Sequence, residues 1–287
     1  MSRDLAASVR ARLLNIAKSE GSDFNQMLVR YTLERLLYRL STSAYADQFL
    51  LKGALLFTLW YDMPHRPTRD IDLLGFGPSD LHTLTETFRA IAAGACPDGL
   101  VFDATSVRAE EIRKDADYAG ARVLLTATLA GARCRVQIDI GFGDAVTPDA
   151  VVATYPVLLD DLPSPQIRTY PVHTVIAEKL HTITLLGMTN TRLKDYLDLH
   201  VLLSSETLDM TLLARAVTAT FSRRGMVVPA TLPIGLTDVY AHDPTRQALW
   251  RAFERRNALP VVSLNDIVFA IGARLAPVLN AAARLSL

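Results

Sequence analysis

The sequence has few of the residues that define several common classes of protein. Its two cysteines, Cys96 and Cys134, are too few for a disulfide framework or a cysteine-rich zinc site, and we expect both to be free thiols. Lysine is nearly as scarce, since only five of the 30 basic residues are lysines, and the formal net charge is zero. A neutral chain does not coat nucleic acid through bulk charge, although a local basic patch stays compatible with that sum.

Long apolar runs are also missing. No stretch reaches the ~18 apolar residues that a membrane-spanning helix needs, and the first residues lack the apolar core of a signal peptide. We therefore expect a cytoplasmic protein with no membrane partner. Half of the residues are hydrophobic, which is ample for a sizeable core in one large or two modest domains.

Hydrophobic periodicity predicts helices at both ends of the chain and strands between them. Apolar residues three or four apart predict helices over residues 4–40 and over most of the chain after residue 174. Alternating or continuous apolar runs predict strands around Asp70 and over residues 101–104, 122–129, 133–140 and 167–170. Ala130-Gly131 is typical of the tight turn of a hairpin. The pattern as a whole favours an α+β fold.

Two acids separated by one residue, Asp70 and Asp72, lie in an apolar run. In a strand, residues i and i+2 share a face, so the two carboxylates point the same way, about 7 Å apart at the backbone. Like charges so close are unfavourable unless something neutralises them, and Mg²⁺ prefers such oxygen ligands. The alternative is a solvent-exposed polar face beside a loop.

A third acid lies in another predicted strand and could join this pair. In the predicted strand of residues 133–140, Val136, Ile138 and Ile140 share one face, which leaves Asp139 on the other; Asp144 is a nearby rival. Gly53 precedes a predicted helix, whose free N–H groups could cradle a phosphate. Three carboxylates on neighbouring strands beside such a helix are how a nucleotidyltransferase holds a metal-bound nucleoside triphosphate.

Five segments, in this order, resemble the AbiEii family of nucleotidyltransferase toxins, which includes the mycobacterial MenT-type toxins. They are Leu51-Lys52-Gly53-Ala54, Arg66-Pro67-Thr68-Arg69-Asp70-Ile71-Asp72-Leu73, Ile138-Asp139-Ile140, Ala177-Glu178-Lys179-Leu180 and Arg192-Leu193-Lys194-Asp195-Tyr196-Leu197-Asp198-Leu199. The resemblance spans about residues 45–205. Ala54 departs from the pattern, because many members have a second glycine or a serine there.

The resemblance implies a fold, a domain plan and an activity. The fold is a DNA-polymerase-β-like nucleotidyltransferase core, a mixed sheet with helices, followed by a helical C-terminal region. Residues 1–165 would hold the N-terminal helices and the core, and residues 166–287 a mostly helical domain that completes the active site.

The implied protein is the toxin of a toxin–antitoxin system. It adds NMP from NTP to the 3′ end of tRNA with Mg²⁺ or Mn²⁺, which blocks aminoacylation and translation. Its partners would be tRNA and a cognate antitoxin, and we expect a monomer.

The resemblance also assigns roles to individual residues. Asp70 and Asp72 would be catalytic metal ligands, with Asp139 as the third carboxylate. Lys179 would bind or polarise the triphosphate, and Asp198, or else Asp195, would be the essential acid of the last motif. The remaining nucleotide-binding candidates are Lys52, Gly53, Arg66, Thr68 and Lys194. Thr68 is also a candidate for regulatory phosphorylation, because a phosphate two residues from Asp70 would repel both triphosphate and carboxylate.

Simpler interpretations exist for several of these residues. Lys179 beside Glu178 could be an ordinary surface pair, and Lys194 with Asp198 has the i, i+4 spacing of a salt bridge worth about 0.3 kcal/mol. Arg66 could be an ion-pair partner of the nearby acids instead of a phosphate ligand. For the whole protein, the alternatives are NMP transfer to a protein hydroxyl, on itself or on a partner, and a non-catalytic module that binds nucleotide or antitoxin.

Overall fold

A computed structural model describes residues 2–61, 68–113, 119–205, 207–257 and 262–285 of the chain. The fold is α+β, as the sequence predicts, and the chain forms two compact units. The first consists of Met1–Gly143 and Val151–Thr169, and the second of Asp144–Ala150 and Tyr170–Leu287. The predicted domain boundary after residue 165 stays a prediction.

Two helices open the first unit, α1 (Ser2–Glu20) and α2 (Phe24–Ser41). Asp23 caps α2, because its carboxylate accepts hydrogen bonds from the backbone N–H groups of Asn25 and Gln26. Both helices lie where the periodicity of apolar residues predicts them.

Seven strands in the described part of the chain form one mixed sheet. They are β1 (Phe49–Lys52), β2 (Asp70–Gly75), β3 (Leu100–Arg113), β4 (Ala119–Leu129), β5 (Ala132–Phe142), β6 (Val151–Thr154) and β7 (Gln166–Thr169), in the spatial order β3-β4-β5-β2-β1-β7-β6. β2 runs parallel to β5 and β1 parallel to β7, whereas the other neighbours are antiparallel. Helices α3 (Leu55–Tyr61) and α4 (Leu81–Ala92) flank β2 along the chain.

Alternation along the strands separates a packed face from a polar one. On β2, Ile71 and Leu73 are buried, while Asp70 and Asp72 are partly exposed. The same alternation on β5 buries Ile138 and leaves its neighbours partly exposed. Of the helices, α1 contacts β4, α2 contacts β5 and β7, and α4 contacts β3. The acids of β2 therefore share a face that stays polar.

The second unit is helical. Its helices are α5 (Val172–Leu186), α6 (Leu193–Ser205), α7 (Met210–Arg223), α8 (Asp238–Ala241), α9 (Pro244–Asn257) and α10 (Leu264–Leu285). α5 packs against α7, and α10 packs against α6 and α7. Tyr196 and Tyr240 stack with ring centroids 5.1 Å apart, and the Tyr196 hydroxyl donates to the Gly235 carbonyl at 2.9 Å.

By length and composition, α10 is the helix in the described residues that could span a membrane. Its mean hydropathy over the tested window is 1.4, and 44% of that window is buried within the protein. Ile267, Ile271 and Leu275 are fully buried among the helices of the second unit. Packing within that unit thus buries one apolar face of α10.

Candidate functional site

The parallel pairing of β2 with β5 brings three carboxylates together. Asp72 is the register partner of Asp139, and Asp70 the partner of Gln137. One oxygen each of Asp70, Asp72 and Asp139 lies within 4.8 Å of the others, and all three residues are partly exposed. The sequence offers Asp139 and Asp144 as candidates for the third carboxylate. Asp139 lies beside Asp70 and Asp72, whereas Asp144 belongs to the second unit.

Gly53 provides the space that Asp72 occupies. Its φ is +74°, a conformation that favours glycine, and a Cβ built on Gly53 would lie 2.0 Å from Oδ2 of Asp72. Lys52, the preceding residue, is the antiparallel register partner of Asp72. The pairing of β1 with β2 therefore places Lys52 and Gly53 next to Asp72.

Asp139 is held by a guanidinium on the neighbouring strand. Nε of Arg122 donates to Oδ1 of Asp139 at 2.8 Å, and Nη2 donates to Oδ2 at 2.9 Å. The side-chain amide of Gln137 donates to Oδ1 at 3.2 Å. The hydrogen bond to Asp139 is the main cause that raises the pKa of Arg122. A bidentate arginine fixes the plane of this carboxylate and offsets part of the cluster's negative charge.

Thr68 is tied to the first acid of the pair. Its hydroxyl donates to Oδ1 of Asp70 at 2.6 Å, and the hydroxyl is partly buried. Arg66 lies outside the described residues, so its predicted contact with phosphate stays a prediction. Thr68 is thus placed where any change of its hydroxyl would act directly on Asp70.

The donor set fits a hard divalent cation. Mg²⁺ and Mn²⁺ take oxygen ligands, and Mg²⁺ is commonly held by one or two carboxylates with water and phosphate oxygens completing its shell. Both oxygens of Asp139 accept from Arg122, but a carboxylate oxygen has more than one lone pair, so these bonds leave capacity for an ion. Asp70, Asp72 and Asp139 are therefore the residues that could hold the metal.

The second unit contains the remaining predicted residues as a buried ion cluster. Nζ of Lys179 on α5 donates to Oδ1 of Asp195 at 2.9 Å and to Oδ2 of Asp198 at 2.7 Å, both on α6. Nε of Arg192 donates to the second oxygen of Asp195 at 2.6 Å. The side chain of Lys179 is 14% exposed and those of the two aspartates 1%. The motifs around residues 178 and 195 thus meet in space.

This arrangement decides between the simpler interpretations of the two lysines. Lys179 is not a surface pair with Glu178, because its ammonium faces two buried carboxylates. Asp198 pairs with Lys179, whereas Lys194 points to an exposed part of α6. Burial alone would lower the pKa of Lys179, but the two aspartates outweigh it and raise that pKa.

Asp144 takes part in a different network of the second unit. Nη2 of Arg224 donates to Asp144 at 2.9 Å and lies 3.4 Å from Glu178. His181 packs edge-on against Phe221. Burial, aided by the charge of Arg224, lowers the pKa of His181 to about 4. His181 is a neutral core residue at pH 7.

Arg122 and Gln137, the two residues that hold Asp139, were missed in the sequence. The signal for Arg122 was present: with Ala130-Gly131 as a two-residue turn, Leu129 faces Ala132, and counting back along both strands places Arg122 opposite Asp139. Strand phase places Gln137 on the same face as Asp139, but it does not predict the hydrogen bond between them.

The fold is similar to that of two solved structures from Helicobacter pylori. The structure of JHP933 from Helicobacter pylori superposes with a TM-score of 0.50 at 16% identity, over 88% of this chain and 91% of that one. Another H. pylori structure, described as a candidate nucleotidyltransferase, has a TM-score of 0.49 at 17% identity, over 88% and 95%. No curated protein sequence gives a match to the chain.

The family follows from the sequence match. The family model described as "Nucleotidyl transferase AbiEii toxin, Type IV TA system" matches residues 35–265. The chain therefore belongs to the AbiEii family of nucleotidyltransferase toxins, and membership implies an antitoxin partner. The resemblance on which the sequence analysis relied is confirmed.

Proposed function

We propose that this protein is a toxin that transfers a nucleoside monophosphate from an NTP to the 3′ end of tRNA, which blocks aminoacylation and translation. The observation that carries the proposal is the convergence of Asp70, Asp72 and Asp139 within 4.8 Å. Family membership supports the reaction class. The choice of tRNA rests on the resemblance to characterised members.

The carboxylates of the first unit would do the chemistry. Asp70, Asp72 and Asp139 would hold Mg²⁺ or Mn²⁺, which when bound neutralises charge on the attacking and leaving oxygens. The acceptor's 3′ hydroxyl attacks the α-phosphorus, its proton passes to a carboxylate of the cluster, and pyrophosphate leaves. Arg122 orients Asp139, and Thr68 orients Asp70. Little more than positioning and charge is required of the protein in such a transfer.

For the other predicted site residues we propose the roles that the family resemblance implies. Lys52 and Gly53 approach the triphosphate, and Arg66 and Lys194 contribute positive charge. Lys179 and Asp198 act as the triphosphate ligand and the essential acid. Since these two are also paired with each other, their variants must be tested for stability as well as for activity.

Thr68 offers a place for control of this reaction. Phosphorylation would remove the hydrogen bond that Thr68 donates to Asp70 and would add about 1.5 to 2 negative charges beside three carboxylates. The added charge would repel the triphosphate, so a modified protein should be inactive.

The test is incubation of the purified protein with Mg²⁺, each α-labelled NTP in turn and total tRNA, followed by separation of labelled RNA from labelled protein. Label on tRNA that disappears in Asp70→Asn supports the proposal. Asparagine keeps an acceptor for Thr68 but removes the charge of a ligand. Asp160→Asn, in an exposed loop of the same unit, is the matched control and should keep full activity.

Two other results would change the assignment. Label on protein alone would replace tRNA with a protein hydroxyl as the acceptor. Absence of label with every NTP, in wild type and variants, would leave a module that binds nucleotide or antitoxin without turnover.

A further inference from the structure

The first unit contains a cavity that the metal site does not use. Its volume is about 840 Å³, within the usual range for small-molecule sites of about 300–1,000 Å³. It is lined by residues of α2 and α3, by the first residues of β5 and by the segment 155–158. Many of its lining residues are apolar, with charged side chains among them.

The cavity reaches the edge of the carboxylate cluster. Thr68 and Arg69, which directly precede the metal ligand Asp70, both line it. The Thr68 hydroxyl donates to Asp70. Within the described residues the pairing of β2 with β5 begins at Asp70 and Gln137, so the cavity lies beside the part of β5 that precedes this pairing. A molecule held there would have one end next to Asp70.

Three exposed arginines, Arg69, Arg133 and Arg135, line the cavity, and none of them lies within salt-bridge distance of a carboxylate of the described chain. Arg133 and Arg135 are two apart on β5, so they share a face and are separated by about 6.6–6.8 Å along the strand. Successive phosphates of an extended nucleic acid strand have a comparable spacing. The arrangement therefore suits a chain of phosphates better than a single anion.

The part of the cavity wall formed by α2 contains a buried acid, Glu34, one oxygen of which has no hydrogen-bond partner among the described residues. Glu34 is 3% exposed and lines the cavity. Its Oε2 accepts from the backbone N–H of Leu158 at 2.8 Å. Oε1 has no hydrogen-bond partner among the described residues, and its nearest cation, Nε of Arg35, is 3.6 Å away. Arg35 offsets the charge of this carboxylate at ion-pair distance, but a ligand that donates to Oε1 would supply the hydrogen bond that this buried acceptor lacks.

We propose that this cavity is the acceptor site of the proposed transfer, and that its ligand is the 3′-terminal nucleotide of a single-stranded RNA end whose base has an amino group. Arg133 and Arg135 contact successive phosphates, Arg69 lies beside the terminal ribose, and Oε1 of Glu34 accepts from the exocyclic amino group. Cytosine and adenine carry such a donor and uracil does not. The inference rests on the proposed function for the role of the site, but binding itself requires no turnover.

The first measurement is binding of short single-stranded RNA to the full chain in EDTA, by fluorescence anisotropy over a range of salt concentrations. Replacing both Arg133 and Arg135 by alanine should weaken binding and reduce the slope of log K against log salt by about 0.7 for each phosphate that is no longer neutralised. Arg10→Ala with Arg89→Ala is the matched control. These two exposed arginines of the same unit do not line the cavity, and their replacement changes the net charge equally.

The second measurement tests the base contact with oligonucleotides that end in cytidine or in uridine. Burial raises the pKa of Glu34 to about 7, so the measurement is made at about pH 8.5, where the carboxyl is ionised and wild type should prefer cytidine. In Glu34→Gln the amide oxygen must serve the Leu158 N–H, which leaves the NH₂ group to face the cavity. The variant therefore replaces an acceptor with a donor, and the preference should shift toward uridine, whose O4 accepts. The substitution is isosteric, and a thermal melt verifies that the variant is folded.

Several results would overturn the acceptor site. They are no binding of RNA by wild type, an equal loss of affinity in the control pair, and an unchanged cytidine-to-uridine ratio in Glu34→Gln. Failure of the proposed function is distinguishable from these. Wild type that binds RNA with the expected dependence on Arg133, Arg135 and Glu34 but transfers no NMP supports the site and rejects the reaction. Labelled tRNA with unaltered binding by both the Arg133/Arg135 double variant and Glu34→Gln supports the reaction and rejects the site.

Discussion

Gly53 shows how a single residue can be fixed by two separate constraints. Its positive φ disfavours any side chain, and the position of its missing Cβ is taken by the carboxylate of Asp72. We expect Gly53→Ala to cost about 1–2 kcal/mol of stability through the backbone. It should also reduce NMP transfer by about 100-fold, because a displacement of a ligand by about 1 Å is enough for such a loss.

Gly21→Ala is the control for this prediction. Gly21 has a φ of +64° but no heavy atom within 4 Å of a built Cβ, so it shares the backbone strain without the steric overlap. Denaturant unfolding and the transfer assay are measured for both variants. We expect Gly21→Ala to show the backbone cost alone with full activity, and Gly53→Ala to lose more stability as well as activity. Equal activities would show that the space around Asp72 is not critical.

At the scale of elements, α5 and α6 are joined by the buried cluster of Lys179, Asp195 and Asp198. Replacing Lys179 by methionine removes the ammonium from which both buried carboxylates accept a hydrogen bond. Removing one partner of a buried pair is strongly destabilising, by about 3–5 kcal/mol. We therefore expect Lys179→Met to lower the protection of α5 and α6 amides in hydrogen exchange, independently of any catalytic role.

The loss of stability in Lys179→Met should depend on pH in a definite direction. Burial alone would raise the pKa of Asp195, but Lys179 and Arg192 hold it below its ordinary value. A depressed carboxyl pKa contributes stability that is present above the ordinary aspartate pKa and is lost as the pH falls through the folded-state pKa. The difference between wild type and Lys179→Met should accordingly be large at pH 7 and shrink in acid.

Lys194→Met is the control on α6, because Lys194 is exposed on the same helix. Its effect should stay within about 0.5 kcal/mol, as for surface substitutions in general. If Lys179→Met were as stable as this control, the cluster would not be a stabilising element, and loss of activity in it would be purely catalytic.

For the whole molecule, ligand binding should be visible as stability. Asp70, Asp72 and Asp139 repel one another in the absence of a cation, so Asp70→Asn should melt no lower than wild type in EDTA. Mn²⁺ or Mg²⁺ at about 100 times its dissociation constant should stabilise wild type by about 2.7 kcal/mol. The variant should show little of this shift, whereas Asp160→Asn should show all of it. An equal stabilisation of all three proteins by the metal would show that it binds outside the cluster of Asp70, Asp72 and Asp139.

Much of the fold could be predicted because its elements carry long periodic signals. α1, α2 and α10 lie where apolar spacing places them. The four-residue elements β6 and α8 were missed, since so short a segment has no period to detect. β3 is longer than the predicted strand of residues 101–104, because its pairing with β4 shifts register between Asp103 and Arg108 and then continues.

The sequence by itself determined the local chemistry of this protein: a strand with two acids on one face, a hairpin with a third acid, and the order of motifs that marks the family. These follow from the period of a strand, the turn chemistry of Ala130-Gly131 and the matched segments.

Only the tertiary structure decided which elements become neighbours. It placed Asp139 beside Asp70 and Asp72 through the parallel pairing of β2 with β5, and it paired Lys179 with two aspartates on α6. It also set Glu34 in a cavity with Arg133 and Arg135. Such neighbours are distant in sequence, so their contacts depend on the packing of whole elements.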